Sequence, residues 1–86
     1  VNNSLPAITG KQLIRLLRLD GWKEGEHKTH GIGFRKSIEP GRTLIAIVPN
    51  KRNSLPIGTL AKILSPQQTQ LGRAGLLDLI SKHGLK

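Results

Sequence analysis

The run Thr43 to Val48, TLIAIV, followed at once by Pro49, constrains this chain more than any other stretch. It is β-branched and continuously apolar, and Pro49 lacks the N–H that would extend a ladder. Such a run reads as a strand, and its unbroken apolar character predicts the best-buried strand of the protein. The residues before it must supply its partners. Pro40-Gly41 is a turn signal, and Gly31 to Ile38 ahead of that turn alternates, with Ile32, Phe34 and Ile38 in one phase. Trp22 to Thr29 is a weaker, polar pattern that fits an exposed or edge strand anchored by Trp22. These three runs predict an antiparallel meander.

Helical patterns flank it. Thr9-Gly10-Lys11-Gln12 reads as a capping box, in which the Thr9 hydroxyl accepts from the Gln12 N–H and the Gln12 side chain reaches back. Leu13, Ile14, Leu16 and Leu17 follow at helical spacing, with Lys11, Arg15 and Arg18 on other faces. Asp20-Gly21 ends the helix, Gly21 suiting a left-handed C′ position. Leu5 and Ile8 are expected to pack as an N-terminal arm. Beyond a polar loop from Asn50 to Pro56, Ile57 to Leu64 forms a short helix pattern with Leu60, Ile63 and Leu64 inward. Leu71 to His83 forms another, with Leu76, Leu77, Leu79 and Ile80 on its apolar side and Gly84 after it. The predicted fold is a single α+β domain over 1–86: a small three-stranded antiparallel sheet with helices on one face, α-β-β-β-α, plus a C-terminal helix. Its predicted core is Leu13, Ile14, Leu17, Trp22, Phe34, Leu60, Ile63, Leu64, Leu76 and Ile80. Trp22 and Phe34 are the only aromatics, so the core needs both.

Charge narrows the partners. Fourteen Lys and Arg against five Asp and Glu give a formal charge of +9. Such a surface attracts polyanions, nucleic acid first and an anionic membrane second. The bland alternative is a solvated basic surface that keeps the protein soluble. The cations are spread along the chain rather than blocked into a tail. No cysteine is present, which excludes a disulfide framework and a thiolate metal site and is compatible with a cytoplasmic location. No run approaches the roughly 18 apolar residues of a membrane span, and no signal-peptide pattern is legible from Val1.

The chemistry-bearing residues crowd into His27 to Lys36, HKTHGIGFRK. Histidine gives or takes a proton near neutral pH, and Lys28, Arg35 and Lys36 offer charge to a phosphate. His30 is the candidate reacting group. The structural alternative for it is a hydrogen-bonded histidine in a turn, and strict alternation puts it in phase with Ile32 and Phe34, toward the core, unless Gly31 breaks the phase. His27 reads as an exposed neighbour that tunes His30 or touches RNA. Together the two lack the further ligands a metal site needs, so no metal and no cofactor is expected. Gly31 and Gly33 complete no phosphate-loop motif. Lys51 and Arg52, near the helix start at Gly58-Thr59, either hold a phosphate or stand in a solvated loop. His83 reads as a helix-dipole partner.

Four stretches, LPAITGKQLIRLLRLDGW (Leu5 to Trp22), THG (Thr29 to Gly31), IVPNKRNSLPIGTLAKIL (Ile47 to Leu64) and GRAGLLDLI (Gly72 to Ile80), resemble, in order, the HicA family of messenger-RNA-cleaving toxins of bacterial toxin–antitoxin modules. The resemblance implies a fold similar to a double-stranded-RNA-binding domain. It implies a single catalytic histidine at the start of the second strand, matched here by His30, with Lys28-Thr29 where the family more often has Gly-Ser. It also implies metal-independent cleavage of mRNA and neutralisation by a HicB-type antitoxin. Lys28, Arg35, Lys36, Lys51 and Arg52 are the expected RNA-binding residues. A non-catalytic module that reads RNA by shape and phosphate contacts is the alternative on the same fold.

Overall fold

A computed structural model describes residues 5–29 and 31–85. The elements follow in the order α1 (Gly10–Leu19), β1 (Lys23–Lys28), β2 (Gly31–Glu39), β3 (Arg42–Val48), α2 (Ile57–Ile63) and α3 (Gly72–His83). The α+β class and the antiparallel meander are as the sequence predicts, with strand order β1-β2-β3.

Helix α1 begins on the capping box. Thr9 Oγ1 accepts from the Gln12 N–H at 3.0 Å and Gln12 Oε1 accepts from the Thr9 N–H at 2.9 Å. Its buried stripe is Leu13, Ile14, Leu16 and Leu17. It ends at Asp20, and Gly21 takes φ +92° to turn the chain into Trp22. At that corner the Trp22 indole N–H donates to Asp20 Oδ2, and Lys36 Nζ donates to the same oxygen and to the Asp20 carbonyl (3.2, 3.2 and 3.1 Å). The ammonium also lies 6.0 Å from the centre of the Trp22 ring, within cation–π range. Lys36 thus ties the middle strand to the end of α1.

The register assigns each side chain to a face. Ile32 pairs with Val48 and Phe34 with Ala46, and these four are buried. Gly33 pairs with Ile47 and Arg35 with Ile45 on the opposite face, where Ile45 is 62% and Ile47 39% exposed. The expectation that β3 is the best-buried strand is therefore overturned: β2 buries Gly31, Ile32 and Phe34, β3 only Ala46 and Val48. Helices cover one face of the sheet only, and the pleat sends alternate residues of even an all-apolar strand into solvent. Ile38 leaves its predicted phase as well. The β2–β3 register is irregular between Ser37 and Glu39, and Ile38 is exposed.

Helix α2 buries Leu60 and Ile63, with Leu64 beside them at its C-cap, and α3 buries Leu76 and Leu79. Ile80 is only partly buried against this cluster, so the predicted place of Ile80 belongs to Leu79. Ile8, Leu16 and Leu55 join the core too. Ile8 and Leu55 are brought together by a Leu55 N–H to Ile8 carbonyl bond of 2.8 Å and the adjoining Thr9–Ser54 bridge. Arg15 of α1 donates to the carbonyls of Gly84 and His83 (3.0 and 3.3 Å), pairing two acceptors at the C-terminal end of α3 and fixing the two helices together.

Candidate functional site

The N-terminus of α1, the segment after β3 and the β1–β2 end converge at one edge of the fold. Two glycines permit it. A Cβ on Gly10 would fall 1.9 Å from the Pro49 carbonyl oxygen, so the first turn of α1 lies directly against 49–51. The Lys11 N–H donates to the Lys51 carbonyl (3.0 Å), and Lys11 Nζ to Asn50 Oδ1 (3.2 Å). Gly31 has φ +149°, and a Cβ there would meet the Val48 carbonyl oxygen at 2.4 Å. Only glycine lets the start of β2 pass so close to the end of β3.

A cleft of about 460 Å³ opens at this convergence. His27, Lys28 and Thr29 line one part of it, Pro49, Asn50 and Lys51 another, with Gly31 and Ile32 completing the lining. Its size is within the range of small-ligand sites. Two lysines and no carboxylate line it. Four of the five acidic residues are taken up in ion pairs: Asp20 with Lys36, Glu24 with Arg18 and with the cleft's His27, Glu39 with Arg42 and Asp78 with Lys82. His30 lies outside the described residues; its chain neighbours Thr29 and Gly31 both line the cleft.

The other expected RNA-binding residues separate into groups. Lys28 and Lys51 are brought together at the cleft, and Arg52 follows Lys51, exposed, in the same loop. Arg35 and Lys36 are neighbours in sequence but point to opposite faces. Arg35 lies on the uncovered face, directly across from Lys23. Lys36 is turned to the helix side and engaged by Asp20 and Trp22. Both are four or more residues along β2 from Gly31, about 13 Å or more at strand spacing. Like charges set opposite each other across a sheet repel, so the Lys23–Arg35 pair makes the uncovered face attractive to an anion in its own right.

The sequence reads His27 as an exposed neighbour of His30, and the structure gives it a partner of its own. A β-bulge between Glu24 and His27 breaks the alternation of β1, so Glu24 pairs with Phe34 and His27 with Ile32, on the same face. In a regular strand, residues three apart face opposite ways. The His27 ring nitrogen Nε2 donates to Glu24 Oε2 at 3.0 Å. Glu24 Oε1 accepts from Nε and Nη2 of Arg18 on α1. The His27 hydrogen bond first, and then the Arg18 guanidinium, hold the Glu24 carboxyl below its ordinary value. Gly25, inside the bulge, is the one local hint of this arrangement in the sequence.

Among the described residues, no three His, Asp or Glu side chains gather as metal ligands would, and no helix is long and apolar enough to cross a membrane. Comparisons of the chain with protein-family models, with curated proteins and with solved structures found no match.

Proposed function

We propose that this chain is an endoribonuclease toxin of the HicA type. On this reading it cleaves messenger RNA by metal-independent acid–base chemistry at His30, and a HicB-type antitoxin silences it. One observation supports the reading above the rest: both chain neighbours of His30 line a cleft whose charged side chains are Lys28 and Lys51, with no carboxylate among them. A single RNA strand laid through that cleft would pass the Thr29 and Gly31 neighbours of His30 and meet the ammonium groups of Lys28 and Lys51. In the reaction the 2′-hydroxyl loses its proton and its oxygen attacks phosphorus. The bond from phosphorus to the 5′-oxygen breaks, that oxygen gains a proton, and the products are a 2′,3′-cyclic phosphate and a 5′-hydroxyl. His30 carries one of the two protons, and the lysines stabilise the added charge on the phosphoryl oxygens. An antitoxin that closes the cleft would need acidic side chains to match it.

The test is RNA cleavage and growth on induced expression, native against His30→Ala. Loss of cleavage by roughly 10²–10⁴-fold, with RNA binding retained, is the expected result. Cleavage should survive EDTA. Undiminished cleavage by folded His30→Ala removes His30 from the mechanism. An RNA-binding module without catalysis is the second reading, favoured by the Lys23–Arg35 pair on the uncovered face, which lies away from the cleft. Tight RNA binding with no cleavage by the native chain would decide for it.

A further inference from the structure

Cleavage through a 2′-hydroxyl moves two protons, one off the nucleophile and one onto the leaving oxygen. A single histidine accounts for one of them in any one step. Among the described residues lining the cleft, the one imidazole is that of His27. It does not hang free. An ionised carboxylate only accepts hydrogen bonds, so the 3.0 Å contact to Glu24 Oε2 places the proton on His27 Nε2. In the neutral ring Nδ1 then carries the lone pair, and no other described residue engages the ring. Glu24 is itself held through its other oxygen by two nitrogens of Arg18, which reaches over from α1. The bulge that breaks β1 between Glu24 and His27 is what brings carboxylate and imidazole onto one face. A carboxylate that fixes the tautomer and orientation of an imidazole, whose other nitrogen is left to accept a proton, is the arrangement of a general base.

We propose that His27 is a second catalytic residue of this cleft, the base that takes the 2′-hydroxyl proton onto Nδ1, with Glu24 and Arg18 as its positioning residues. His30 then gives the proton that the departing 5′-oxygen receives. Afterwards His27 holds the proton taken from the 2′-hydroxyl and His30 lacks the one given to the 5′-oxygen, and exchange with water resets both. The inference rests on the ribonuclease reading above and adds the partition of roles between the histidines.

The experiment compares native protein, His27→Ala, His27→Asn, Glu24→Gln and His30→Ala on one RNA oligonucleotide. It repeats the comparison on the same oligonucleotide with sulfur in place of the 5′-oxygen at the cut. Thiolate leaves without a proton, so loss of an acid matters little there, whereas loss of a base still matters. We expect His27→Ala and His27→Asn to cleave roughly 10²–10⁴-fold more slowly on both substrates, with RNA affinity unchanged. Added imidazole should restore part of the His27→Ala activity. Glu24→Gln should lose less, because its amide still accepts a hydrogen bond from the ring. The His30→Ala defect should shrink on the sulfur substrate. Native rates in folded His27→Ala and His27→Asn, alongside an inactive His30→Ala, would overturn the role of His27 and leave the ribonuclease reading standing. A His27 defect that vanishes on the sulfur substrate would overturn its assignment as base. Native protein that cleaves neither substrate would overturn both readings.

Discussion

At the scale of single residues, close approach and charge pairing decide more than intrinsic propensity. Gly10 stands in the first turn of a helix, where alanine would ordinarily gain about 1 kcal/mol. Its missing Cβ is instead the space occupied by the Pro49 carbonyl. Gly10→Ala should therefore destabilise the protein by about 1–3 kcal/mol net, as overpacked sites do. A denaturant titration checks it, and a gain in stability would show that 49–51 can move aside. Glu24 makes a pH prediction. Its carboxyl is held below the ordinary value by His27 and then Arg18. A carboxylate with a lowered folded value stabilises fully above its unfolded pKa of about 4.5 and loses that contribution as pH falls through the folded value. The stability difference between native protein and Glu24→Gln should accordingly be largest near neutrality and close in acid. Thermal melts from pH 7 to pH 3 measure it, and a difference that widened in acid would have the wrong sign.

At the scale of elements, the ends and the buried helix faces were legible, and the number of covered sheet faces was not. Thr9, Gln12 and Gly21 bound α1 where sequence rules put them, because capping is local chemistry among residues three or four apart. Pro40-Gly41 turns β2 into β3 for the same reason. The burial of β3 was misread because an apolar run does not say how many faces of its sheet will be covered. The bulge in β1 escaped because pairing with β2 creates it. The engagement of Lys36 was not legible because its partner Asp20 lies sixteen residues away, across a corner that only the folded chain makes. Helix positions offer a direct check. Leu17, fully buried, should cost roughly 2–5 kcal/mol on truncation to alanine. Ile45→Thr, on the uncovered face, should stay within about 0.5 kcal/mol of native. Equal losses in a denaturant titration would mean that the two faces are covered alike.

At the scale of the whole molecule, some cations are engaged in holding the fold and others make no ion pair among the described residues. Lys28 and Lys51 make no ion pair among the described residues, while Lys36 is engaged by Asp20. If each cleft lysine neutralises one phosphate, Lys28→Ala or Lys51→Ala should flatten the salt dependence of single-stranded RNA binding by about 0.7 in log–log slope. Lys36→Ala should leave that slope alone and lower stability by about 1 kcal/mol. Titrations of RNA affinity against salt separate the two classes, and an unchanged slope for both cleft lysines would take them out of the contact. The uncovered face carries one more consequence. Edge strand β3 presents Ile45 and Ile47, with Gln68 shielding only the Ile47 N–H, and an apolar edge is a template for pairing with its like. The charge of +9 opposes the approach of two such edges, a repulsion felt over about 10 Å at 0.1 M salt and about 3 Å at 1 M. The colloidal behaviour of this protein should therefore run opposite to that of one kept dissolved by hydrophilic edges. Concentrated salt should raise its light scattering, and replacing Ile45 with lysine should abolish the rise.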